Sequence, residues 1–325
     1  MTTGAGSTIG RSSIGVILMS LVCPALLSAQ GLAHDAMAVF PADTQQMAYT
    51  NLGQLRSSPD YPQLRDRLIN RQLRFFQDFL RSAGIDPEKD VDEVVMGWRG
   101  EISDTAGFFG MASGRFQPDK VRSYYTQSQL TFLSYAGSDL YAFGSGSDPG
   151  DLFFAFLDPA RALFGRLPDL KALLDVRQGS ANGLDSNSNF STWEGELEGT
   201  APQWGILNGK AATNMAGPWL YSGSQKPHVD LSAFLAPVRA VLYRVEWDGG
   251  FTSHLAIVCV DSPSASGMLT LVKLLQSAPQ QPAADPGASS ILQNVEARQN
   301  GSRLELSVSG PVEALDQILR GNSLQ

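Results

Sequence analysis

From Glu93 onward the apolar residues of this chain repeat in twos, in strand-length segments broken by glycine-bearing turns. That period restricts the chain to folds built on antiparallel hairpins. Residues 93–99 and 105–116 read as strands, 118–128 as a helix, and 130–136 with 140–143 as a hairpin around Gly137-Ser138-Asp139. A nearly continuous apolar strand, 151–157, turns at Asp158-Pro159 and leads to a helix over 168–176. The order then recurs. Strands 241–247 and 251–260 flank Asp248-Gly249-Gly250, and a helix over 264–277 carries Met268, Leu271, Val272 and Leu275 on one face. Strands 295–299 and 303–308 flank Asn300-Gly301, a pair that predicts a two-residue type I′ turn, and 312–319 closes as a short helix. The predicted fold is α+β: two repeated units of antiparallel sheet covered by helices.

An amphipathic helix precedes the repeats. Leu64, Leu68, Leu73, Phe76 and Leu80 recur at three- to five-residue spacing, with Gly84 as the stop signal. Its other face carries Arg65, Arg67, Arg71, Arg74 and Arg81, unusual in an acidic chain. Arg67, Arg71 and Arg74 are the candidate binding residues, suited to an anionic polymer or lipid; the plainer reading is a solvated face. Between the units lies 178–231, rich in Gly, Ser and Asn, holding a short helix (Phe190, Trp193, Leu197) and a strand over 203–207. The domain boundary is expected near Pro227, giving domains 34–226 and 227–325, the second able to fold by itself. The lead over 36–40 reads as extended.

The first 33 residues read as a leader. Arg11 precedes a 14-residue apolar run from Ile14 to Leu27, followed by Ser28, Ala29, Gly31 and Ala33. A positive end, an apolar run and small residues form the order of a secretory signal peptide. The run is short of the roughly 20 residues that span a bilayer. Cleavage is expected before His34, with the bond after Ala29 as the alternative. The product is then exported, periplasmic or secreted, and keeps one cysteine, Cys259, which excludes an internal disulfide. It is one unit more negative than the full chain's −8, which excludes nucleic acid as a natural partner.

Phe40-Pro41-Ala42-Asp43-Thr44, the segment 152–165 followed by 167–177, and the hairpin-helix layout of the C-terminal third resemble exported bacterial proteins with two α+β, ferredoxin-like repeats. The resemblance implies a bacterial envelope setting and supplies no catalytic residues.

Histidine is scarce: His34, His228 and His254. A chain beginning at His34 could offer copper an amine and an imidazole, given a second histidine, but a free terminus is the plainer reading. Ser253 and His254 are adjacent in a strand and point to opposite faces, against a hydrolytic pair. The acidic run Asp86, Glu88, Asp90, Asp92 and Glu93 lacks the glycine of a calcium loop and reads as a helix start. Glu194, Glu196 and Glu198 read as exposed acids, with Glu194 and Glu198 sharing a helix face.

The expected function is therefore a non-enzymatic binding or interaction module of the envelope, partnered by another envelope protein or component, without a cofactor or metal and without a transmembrane span. One alternative is a secreted hydrolase or metal-dependent enzyme using His254 or His34. The other is a periplasmic carrier that holds a small apolar ligand between the repeats.

Overall fold

The computed structural model describes residues 31–68, 71–100, 108–209, 211–212, 235–277 and 294–313. From Gly31 onward they belong to one compact unit. In chain order the elements are α1 (Leu32–Met37), β1 (Gln46–Asn51), α2 (Leu52–Arg56), α3 (Tyr61–Leu68), α4 (Arg71–Ser82) and α5 (Pro87–Asp90). Next come β2 (Val91–Trp98), β3 (Phe108–Gly114), α6 (Pro118–Gln127), β4 (Phe132–Tyr135), β5 (Ser138–Phe143), β6 (Leu152–Asp158), β7 (Arg161–Arg166) and α7 (Leu167–Arg177). The chain continues with α8 (Ser188–Leu197), β8 (Gln203–Asn208), β9 (Val238–Trp247), β10 (Phe251–Cys259), α9 (Ser262–Ser277), β11 (Glu296–Asn300) and β12 (Arg303–Gly310).

The α+β class holds, but the described strands form one sheet where two were expected. Its order is β11-β12-β10-β9-β8-β1-β2-β3-β7-β6-β5-β4, antiparallel at every step. The join is made by β1 and β8. Met47 faces Gly97 of β2 on one side and Ile206 of β8 on the other, and β8 in turn pairs with β9 from Gln203↔Val245 to Asn208↔Ala240. Unpaired strand edges offer a row of open backbone donors and acceptors. Pairing β8 with β9 closes the two edges that separate sheets would have left open. The boundary expected near Pro227 lies outside the described residues.

Strand alternation gives the sheet two apolar faces. One carries Met47, Val95, Phe109, Met111, Phe153, Leu163, Trp204 and Leu242, covered by Leu32, Ala36 and Met37 of α1, Leu170 and Leu174 of α7, and Phe190 and Leu197 of α8. The other face is covered twice. At the β4 end Tyr141, Phe154 and Ala162 pack under Tyr125 of α6 and Phe79 of α4. At the β11 end Val241, Cys259 and Leu304 pack under Ala265 and Met268 of α9. Each large side chain removed from water contributes about 1.5–3 kcal/mol, so no disulfide is needed. Cys259 is free and buried, and burial followed by the nearby Asp261 pushes its thiol pKa up.

Two local expectations change. Residues 32–37 are helix, where 36–40 was expected to be extended, because Leu32, Ala33, Ala36 and Met37 together make a face that the sheet can bury. The arginine-faced helix is described as α3 and α4, with residues 69–70 between them outside the described residues, and α4 ends before Gly84 at φ +85°. The β11–β12 turn is Gly301-Ser302. Asn300 pairs with Arg303 as the last strand residue, and of the two turn residues Gly301 alone has positive φ, +57°. A type I′ turn needs positive φ at both, so that assignment fails. The helix expected over 312–319 falls mostly outside the described residues.

Candidate functional site

At mid-sheet, on the face shared by α6 and α9, lies a groove of about 220 Å³. Its floor lies over Ala48, a small residue on a central strand. Ala48 of β1 faces Gly205 of β8, which faces Tyr243 of β9, which faces Leu255 of β10. A Cβ on Gly205 would stand 2.5 Å from the Tyr243 hydroxyl oxygen, so glycine is what lets that ring lie across β8. Trp98 and Leu207 complete the apolar lining.

Polar groups are few and placed at the edges. Ser253 points into the groove from β10. The buried Gln46 donates its Nε2 to the Gly100 carbonyl at 3.0 Å, which fixes the amide beside Trp98. Burial pushes the Tyr243 phenol up to about 12, so it stays protonated and able to donate at any physiological pH. An apolar concavity with a few fixed polar groups is the usual make-up of a small-ligand site. At about 220 Å³ it lies below the roughly 300–1,000 Å³ of drug-sized pockets and suits one short chain or ring.

Elsewhere the structure separates what an enzyme would need together. Ser253 faces Val245 and Val308 on the groove side, while His254 faces Arg244 and Ser307 on the opposite side. Asp261 is held at the start of α9, where its Oδ1 accepts from Ser264 N at 2.9 Å. His34 is exposed on α1. Among the described residues no three His, Cys, Asp or Glu side chains come together as a metal site. Of the acidic run, Asp86, Glu88 and Asp90 form a helix start, with the Asp86 side chain capping α5 through Glu88 N, while Asp92 and Glu93 lie on β2. Arg67 lies on α3 and Arg71 and Arg74 on α4; their side chains fall outside the described residues.

One expectation is corrected outright. Glu194 is 4% exposed rather than solvated, because it sits on the inner side of α8 between Trp193 and Leu197. Among the described residues its Oε1 has no hydrogen-bond partner. Burial first, and then Glu198, push its carboxyl above the usual range, while His34 pulls the other way. Glu198 accepts from the Gly31 amide through Oε1 at 3.1 Å, tying α8 to the start of α1.

No family model matches this chain, and no curated protein matches it. Three solved structures of TP0453 are similar in fold. Crystal form III has a TM-score of 0.48 at 12% identity, over 88% of this chain and 97% of that one. Form I has 0.45 at 11%, over 89% and 98%. Form IV has 0.48 at 11%, over 88% and 96%.

Proposed function

We propose that this protein is an exported, non-catalytic binding module of the bacterial envelope, and that its groove holds a small apolar ligand. The observation that carries the reading is the floor at Ala48, where missing side-chain volume on a central strand leaves apolar walls open beside the Tyr243 ring that covers Gly205. Central strands are otherwise the best-filled part of a sheet, since interiors pack close to crystal density. The occupant is an uncharged apolar group, short enough for about 220 Å³, with one polar atom for Tyr243 or Ser253. Export is supported by the charged-then-apolar leader, and no helix among the described residues is long and apolar enough to cross a membrane.

Filling the floor tests this. Ala48→Leu places added volume in the groove, while the fold keeps its three apolar clusters. Calorimetric titration with cyclohexanol, one apolar ring with one polar atom, should show saturable binding to the wild type. The variant should lose about tenfold or more in affinity, the effect of roughly 1.4 kcal/mol. Equal affinity in both proteins would remove the groove from the account.

A further inference from the structure

We propose that export processing cuts the Gly31–Leu32 peptide bond, and that the Glu194–Glu198 carboxylate pair receives the new Leu32 ammonium. The inference rests on the export reading and adds the bond and the receptor.

Three bonds compete. Cutting after Ala33 would remove Leu32 (3% exposed) and Ala33 (1% exposed) from the core. Both this cut and the one after Gly31 give up Gly31 O, which accepts from His34 N at 3.0 Å and Asp35 N at 3.3 Å. Cutting after Ala29 leaves the bulky Leu27 three residues before the scissile bond, where a small side chain is wanted. Cutting after Gly31 places Ala29 and Gly31 at the two small-residue positions and keeps every core side chain of α1. The step is a hydrolysis: water adds across the amide, Gly31 leaves as a carboxylate on the leader, and Leu32 keeps an amine that takes up a proton.

The destination of that charge is already built. The Gly31 amide nitrogen stands 3.1 Å from Glu198 Oε1; the cut removes that donor, and the Leu32 nitrogen, the next along the backbone, is left to take its place. Gly31 is also where Glu198 presses closest, since a Cβ there would collide with its carboxylate. One turn earlier on α8, Glu194 is buried with Oε1 unpartnered. A buried carboxylate without a partner is costly, and a charged donor relieves that cost. The groups acting on Glu194 are Glu198 on its own helix and His34 on α1. Asp35, the other charge on α1, is held by Arg161 at 2.6 Å.

Intact-mass measurement of the protein recovered from an exporting bacterial envelope tests the bond. A mass starting at Leu32 is expected. A start at Gln30 or His34 overturns the inference while leaving export intact, whereas protein that always begins at Met1 overturns both. The receptor is tested on the chain that begins at Leu32. Its amine should titrate above the usual 7.7–8.0, read from the pH dependence of reductive methylation. With a raised folded pKa, the amine's stabilisation is complete below that range and lost as pH rises through the folded value. The melting temperature should therefore fall between about pH 8 and 10. Glu198→Gln should return the amine to its usual range and remove that fall. Should Glu198→Gln fold poorly, Glu194→Gln supplies the same comparison with a smaller shift. An amine that titrates normally in the unsubstituted chain overturns the receptor.

Discussion

At the residue scale, Gly205 and Tyr243 set the groove together. The ring occupies space that any side chain at 205 would need, with Cε1 and the hydroxyl each 2.5 Å from where a Cβ would stand. Gly205→Ala should therefore push the ring toward the groove, destabilising the fold by about 1–3 kcal/mol, the usual cost of overpacking. Chemical denaturation checks the stability, and the same variant should lose affinity for cyclohexanol. Glu194 teaches the complementary lesson. Its partnership with Glu198 on one helix face was legible from spacing, but its burial was not. Burial depends on α1 lying against α8, and α1 is not legible as a helix: Leu32 and Ala33 read as the end of a leader and 36–37 as extended.

At the element scale, turn chemistry and period made most of the strands and helices legible. The β9–β10 hairpin follows Asp248-Gly249-Gly250, and the apolar face of α9 follows helical spacing. Asn300-Gly301 alone places the β11–β12 turn one residue too early, because Asn300 pairs with Arg303 and the turn is Gly301-Ser302. Gly301→Val should cost about 1–2 kcal/mol, since a β-branched residue resists positive φ. Open space around position 301 means that conformation, not collision, sets the effect. A parallel Ser302→Ala substitution should be nearly neutral in the same denaturation series. β1 escaped detection because Gln46, Thr50 and Asn51 dilute its alternation. It is a strand because β2 and β8 pair with it on both sides, information that no local window contains.

At the scale of the whole molecule, one sheet joins the two halves, and side chains reinforce the joint. Trp247 Nε1 donates to Gln203 Oε1 at 2.8 Å, Gly250 N donates to Asp60 Oδ2 at 2.9 Å, and Arg303 grips Glu196 with two bonds of 2.6 and 2.8 Å. A fragment beginning at Pro227 would expose the β9 edge that β8 covers. It should melt without a cooperative transition, while the chain from Leu32 unfolds in one; calorimetry of both distinguishes a shared sheet from independent domains. The continuity also explains the groove, which spans β1, β2, β8, β9 and β10 and would be cut in two by separate sheets. Its most direct measurement is a two-dimensional NMR titration of the protein with cyclohexanol. The account predicts saturable shifts confined to the Trp98 indole, the Tyr243 ring and the Leu207 and Leu255 methyls. Saturable shifts that cluster elsewhere, or none at all, would contradict it.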